Sequence, residues 1–123
     1  MSKKILVVED DPDQIALLEF NLKREGFSVG TARDGIEALK KARSIRPDLI
    51  LLDLLLPEMD GLAVCEILRR GPDTASVPII ILTALTGQLT RFAGLEAGAV
   101  DFITKPFSFK DLLLLVNQRV SIR

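Results

Sequence analysis

Histidine is absent from the 123 residues, and cysteine occurs once, at Cys65. Without histidine there is no Ser-His-Asp triad, and most zinc sites are excluded as well. One cysteine cannot form an intramolecular disulfide, which points to a reducing compartment. Its place between Val64 and Glu66 in a helical pattern reads as a packed thiol. Net charge is −1, so no broad field for nucleic acid or a membrane surface is expected. No long apolar segment follows the first residues, and neither a signal peptide nor a membrane span is read. A Gly-x-x-x-x-Gly-Lys-Ser/Thr loop is missing too, which excludes a P-loop NTPase. There are no repeats, no low-complexity segment and no linker. What remains, 48% hydrophobic and 27% charged, is the composition of one globular domain over residues 1–123, expected to be cytoplasmic.

In place of long apolar segments the chain has short ones. Residues 5–8 and 49–54 are apolar without alternation, except for Asp53, and residues 77–82 make a third such run. Runs this short and uniform suit strands buried on both faces of a parallel sheet. Residues 27–32 and 100–104 read as two further strands. Between them lie helical patterns. Asp11 is a candidate N-cap and Pro12 a first-turn residue for a helix that runs to about residue 25, where Gly26 stops it. Asp34-Gly35 opens a second helix with Ile36, Leu39 and Ala42 on one face. Residues 62–70 and 88–97 form the third and fourth helices. Ser108 and Asp111 have a capping-box spacing that opens the fifth. Strand and helix alternate five times, which predicts a (βα)5 doubly wound α/β fold with right-handed crossovers.

The strands end in polar residues: Glu9-Asp10-Asp11, Asp53, Thr83 and Lys105. Ligands of open α/β sheets sit at these carboxyl ends. In a flavodoxin-like five-stranded parallel sheet of order 2-1-3-4-5, the first and third strands are neighbours, so Glu9, Asp10 and Asp53 converge. Three carboxylates at close range call for a cation or for raised pKa values. An oxygen-only donor set suits a hard ion, with Mg²⁺ the best fit. Thr83 and Lys105 can bind phosphoryl oxygens on the other side. The set reads as an anion site built around a metal and a carboxylate nucleophile.

Four segments carry a resemblance. Val-Val-Glu-Asp-Asp-Pro at 7–12, Leu-Leu-Asp-Leu-Leu-Leu-Pro-Glu-Met-Asp-Gly at 51–61, Ile-Leu-Thr-Ala at 81–84 and the stretch 94–107 ending Phe-Ile-Thr-Lys-Pro-Phe resemble the receiver domain of two-component response regulators. The resemblance implies that Asp53 accepts a phosphoryl group from a histidine kinase or histidine phosphotransfer protein. It implies Mg²⁺ held by Asp10, Asp53 and the backbone carbonyl of Leu55, with Glu9 acting mainly through a metal-bound water. It makes Thr83 the switch hydroxyl, Lys105 the phosphoryl-pairing lysine and Phe102 the aromatic switch residue, and the Lys105-Pro106 bond is expected to be cis. A domain of this kind is a signalling phosphoacceptor rather than a conventional enzyme.

Other roles compete with these. Asp11 reads as a helix cap more readily than as a ligand. Phe102 suits plain half-buried packing as well as switching. Leu55 stands where a haloacid-dehalogenase-like phosphatase needs a second acid, which argues against that class. A receiver-like docking module that works without phosphorylation is the alternative function. Leu55 and Leu85, two residues after Asp53 and Thr83, cannot orient an attacking water, so a slowly hydrolysing phospho-state is expected.

Arg91, Asp101, Asp111 and Arg119 could keep part of the charge network by which one subfamily dimerises through the fourth helix, fifth strand and fifth helix. In the last helix Phe109, Leu112, Leu113, Val116 and Val120 read as the inward stripe. Leu114 is read as pointing away and Leu115 as flanking it. With Phe92, Ala93 and Phe102 these leucines suggest an apolar surface for a partner or a second copy. No direct contact with nucleic acid or membrane is expected.

Overall fold

The computed structural model describes residues 2–85 and 87–120. The uniformly apolar runs form strands with no solvent-facing side, as burial on both faces requires. In chain order the elements are β1 (Lys4–Val8), α1 (Pro12–Arg24), β2 (Ser28–Ala32), α2 (Gly35–Ile45), β3 (Leu49–Leu52), α3 (Gly61–Arg70), β4 (Ile79–Thr83), α4 (Gln88–Glu96), β5 (Asp101–Thr104) and α5 (Phe109–Val120). All strand pairs are parallel, and the sheet order is β2-β1-β3-β4-β5.

Alternation along each strand divides the core in two. Ile5, Val7, Leu49, Leu51, Ile80 and Leu82 face Leu18 and Leu22 of α1 and Leu112, Val116 and Val120 of α5. Leu6, Val8, Ile50, Leu52, Ile79 and Ile81 face α2, α3 and the segment following α4, with Phe102 on the same side. Among the described residues no helix is long and apolar enough to cross a membrane.

Caps set several boundaries. Asp11 Oδ1 accepts from the Asp13 amide (2.9 Å), Asp34 Oδ1 from Glu37 (2.8 Å) and Asp60 Oδ1 from Leu62 (3.0 Å). Each satisfies one amide that a helix start leaves unpaired. Ser108 Oγ accepts from the Asp111 amide at 3.1 Å.

Two helix faces differ from the sequence reading. Gly35, Ala38 and Ala42 are the buried residues of α2, while Ile36 is exposed. Small side chains bring the helix onto the sheet there, and Ile36 lies beside Pro57 on the wall of a surface cavity. On α5 it is Leu115, and not Leu113, that packs with Phe109 against the α1/α5 core. Leu112, Leu115 and Val116 are spaced three and four apart, the spacing of one helical face. Leu114 is exposed.

Candidate functional site

Strand register assembles the candidate site. Val8 pairs with Leu52, so Glu9 and Asp53 emerge side by side where β1 and β3 end. The Asp53 amide still donates to Val8 O (3.0 Å), and the Glu9 amide to Ala32 O (3.0 Å). Thr83 pairs with Thr104 at the end of β4 and β5. Lys105 then follows directly, its amide donating to Thr83 O (2.9 Å). Four chemically active side chains thus share one edge of the sheet.

The Asp53 carboxylate is buried, with both oxygens engaged. Oδ1 accepts from the Leu55 amide at 3.0 Å, and Oδ2 from Lys105 Nζ at 2.7 Å. The loop beyond it is held tightly against the start of α3, and Gly61 is what permits this. A Cβ at Gly61 would lie 2.5 Å from Leu54 Cα and 2.7 Å from Asp53 O, while the Gly61 amide donates to Leu54 O (3.1 Å). Any larger residue would displace the backbone that carries Asp53.

Lys105 Nζ also donates to Glu9 Oε1 at 2.5 Å. One ammonium, 19% exposed, therefore bridges two carboxylates that are each at most 5% exposed. Burial pushes the Glu9 carboxyl above its ordinary range and the Asp53 charge adds to this, although the hydrogen bond from Lys105 works in the opposite direction. For Lys105, burial works against the charged form, but the bonds to Asp53 and Glu9 outweigh it and its pKa is raised.

Asp10 follows Glu9 at the same strand end. It is exposed, its carbonyl accepts from Arg33 Nη2 (3.3 Å), and it lines a cavity of about 930 Å³ with Arg33, Lys40 and Glu58. Glu9 and Asp53 meet on Lys105 Nζ, and Asp10, the residue after Glu9, is exposed. Among the described residues no three His, Cys, Asp or Glu side chains are grouped to hold a metal ion. Lys105 places its ammonium between Glu9 and Asp53 and offsets part of their charge. The donor set nevertheless fits a hard cation. It offers carboxylate and carbonyl oxygens only, and one ammonium leaves Glu9, Asp10 and Asp53 with net negative charge.

The remaining candidates lie on β4, β5 and the two last helices. Thr83 is fully buried, and its Oγ1 accepts from the Leu85 amide at 3.3 Å. Phe102 is buried on the α4 side of the sheet, with the Arg91 guanidinium 5.9 Å from its ring centroid. Lys105-Pro106 is a cis peptide. Cys65 is buried, its thiol pushed up to about 11 by burial, and Sγ donates to Ala97 O (3.4 Å).

Asp101 and Arg119 pair within the chain at 2.8 Å, and Arg119 also donates to Val100 O (3.1 Å). Asp111, Phe92 and Leu114 are exposed, and Leu115 is packed. The sequence reading missed Leu89 and Leu95, exposed on α4 with Phe92. Their spacing of three was visible, but its exposure was not. It also missed Arg33, whose contact with Asp10 spans 23 residues.

Comparison with known proteins agrees with this fold. The sequence matches the response regulator receiver domain over residues 5–117. The alkaline phosphatase synthesis transcriptional regulatory protein PhoP of Bacillus subtilis is 49% identical over 98% of this chain and 48% of its own length. The chain thus spans about half the length of that curated relative. The receiver domain of a Pseudomonas aeruginosa sensor histidine kinase, described with a magnesium ion coordinated in its active site cleft, has a TM-score of 0.90 at 35% identity, covering 98% of this chain and 99% of that one. The BeF3-activated N-terminal receiver domain of RstA from Klebsiella pneumoniae has a TM-score of 0.87 at 33% identity, covering 96% and 98%. Receiver domains are signalling phosphoacceptor domains, and this chain belongs to the response regulator receiver domain family.

Proposed function

We propose that this chain, as a single receiver domain, is a phosphoaspartate switch in which Asp53 takes a phosphoryl group from a phosphohistidine of a sensor kinase or phosphotransfer protein. The observation that carries the reading is the double engagement of the Asp53 carboxylate, by Lys105 Nζ and the Leu55 amide, at the carboxyl edge of the sheet. A carboxylate oxygen of Asp53 attacks phosphorus, the P–N bond of the donor breaks, and the imidazole leaves with the electron pair. Lys105 is already within hydrogen-bond distance of Asp53, so its charge is in place for the incoming oxygens and needs little reorganisation. Glu9, Asp10, Asp53 and the Leu55 carbonyl are the groups that would hold Mg²⁺, Glu9 mainly through a bound water. The ion would neutralise charge on the transferring oxygens.

Thr83 and Phe102 then convert the new charge into a change of packing. The Thr83 hydroxyl accepts from Leu85 and keeps its own proton free to donate to a phosphoryl oxygen. Phe102 already occupies the inward position, so phosphorylation acts by raising the population of that packing over an outward one. The readout is the α4/β5/α5 face, through a partner or a second copy.

The deciding measurement is intact mass after incubation with Mg²⁺ and a small phosphodonor. One added phosphoryl group is expected in the wild type and none in Asp53→Asn. No addition to a wild type that binds Mg²⁺ would favour the phosphorylation-independent docking module. Timing the same mass signal after donor removal tests its lifetime. Leu55 and Leu85 are both exposed at the site's edge, where neither can hold an attacking water, so Leu55→Asn is expected to shorten the half-life. An unchanged or longer half-life contradicts that role for Leu55.

A further inference from the structure

The two ends of α4 are held unequally. At its N-terminal end Gly87 is the cap, at φ +105° and with no side-chain capping bond. Leu89 and Phe92 are exposed, and Gly94 is the one buried residue described within the helix. At the other end two α3 side chains, one turn apart, hold the chain that leaves α4. Cys65 Sγ donates to Ala97 O at 3.4 Å and Arg69 Nη2 to Gly98 O at 2.6 Å. Arg69 Nη1 also donates to Ala75 O and, at 3.4 Å, to Val77 O.

One guanidinium therefore ties α3, the segment entering β4 and the turn leaving α4. The planar fork of arginine suits this, and lysine, with one nitrogen, cannot reproduce it. Gly98 leaves room for the contact: it has φ +113°, and a Cβ there would lie 2.6 Å from Arg69 Nε. Among the described residues no such anchor is seen at the N-terminal end, whose cap follows Thr83 by four residues.

We propose that Arg69 is a positioning residue that makes α4 a lever. The clasp on Gly98 is the fixed end, and displacement at Thr83 swings the Leu89 and Phe92 end. The source of that displacement rests on the phosphoacceptor reading of Asp53, whereas the unequal anchoring of α4 does not.

Amide hydrogen exchange measured by NMR tests the lever. The comparison is between residues 91–93 and residues 97–99, all within or directly after α4. In the unphosphorylated wild type, residues 97–99 are expected to be at least about tenfold more protected, the scale of a charge-assisted bond in a local opening equilibrium. Arg69→Met, which keeps the apolar stem and loses the donors, should abolish the difference. Arg69→Lys should leave a part of it, and carries the comparison alone if the methionine variant does not fold. With Mg²⁺ and beryllofluoride as a phosphoryl stand-in, wild-type exchange should change at 91–93 and stay constant at 97–99. Equal protection at both ends of the wild type, a gradient that survives the loss of Arg69, or a response centred on 97–99 would overturn the lever. Phosphodonor mass assays on the same proteins report separately on Asp53. Failure there removes the phosphoacceptor reading, and the gradient in the unphosphorylated protein still decides the role of Arg69.

Discussion

Glu9 shares one ammonium with Asp53 at 2% exposure, and this sharing governs how the site responds to pH. Burial raises its pKa above the ordinary 4.5. A group whose folded pKa is raised contributes stability that is complete below the unfolded value and is lost as pH rises through the folded one. Glu9 therefore holds its proton to higher pH in the folded chain, and at pH low enough to protonate it a cation that draws on its charge must displace that proton. One displaced proton weakens apparent metal affinity by at most about tenfold per pH unit. Mg²⁺ should bind more weakly at pH 5.5 than at pH 7.5, by titration followed with NMR shifts, and Glu9→Gln should narrow that difference. Equal wild-type affinities at the two pH values would show that Glu9 does not couple to the metal. Lys105 moves in the same direction for a different reason: its bonds to two carboxylates outweigh burial. Its stabilising charge is thus present across this whole window and is lost only in strongly alkaline solution.

Among the elements, those with unambiguous patterns were readable from residues alone. β1, β3 and β4 are uniform apolar runs bounded by polar residues, and a two-faced buried strand has no other simple sequence. Asp53, Thr83 and Lys105 could be placed at strand ends because the ends of such runs are visible. What strand ends do not reveal is which side chains meet. Lys105 and Glu9 are separated by 96 residues, and only the order β2-β1-β3-β4-β5 brings them together. The reading grouped three carboxylates, and the folded chain places a lysine between two of them. α5 failed for the opposite reason. Leu112-Leu113-Leu114-Leu115-Val116 has no polar residue to mark a period, so Leu113 was read on the inward face in place of Leu115. Gly61 looked like a turn residue, and its closer function, letting the backbone at Leu54 pass, depends on a contact that sequence cannot display. Arg69 gave no signal at all, since its three acceptors are backbone carbonyls.

Across the whole molecule, charge and apolar surface are distributed unevenly. The acids Glu9, Asp10 and Asp53 gather at the carboxyl edge, while α4 exposes Leu89 (86%), Phe92 (63%) and Leu95, and α5 exposes Leu114 (56%). Single exposed leucines need no explanation, but several on the two helices that flank β5 are the feature on which the proposed interaction face rests. Asp101 and Arg119, expected among the charges of that face, already pair with each other. For the proposed association this leaves apolar burial as the main source of energy, with Arg91 and Asp111 at the margin as the proposed source of specificity. A carboxylate placed at Leu114 would be buried without a partner on association, a cost of about 3–5 kcal/mol. Leu114→Glu should then weaken self-association of the phosphorylated protein by at least about a hundredfold in sedimentation velocity, with mass addition at Asp53 unchanged. Undiminished association in that variant would move the interface away from α5, and loss of phosphorylation along with association would mean that the substitution had disturbed the site itself.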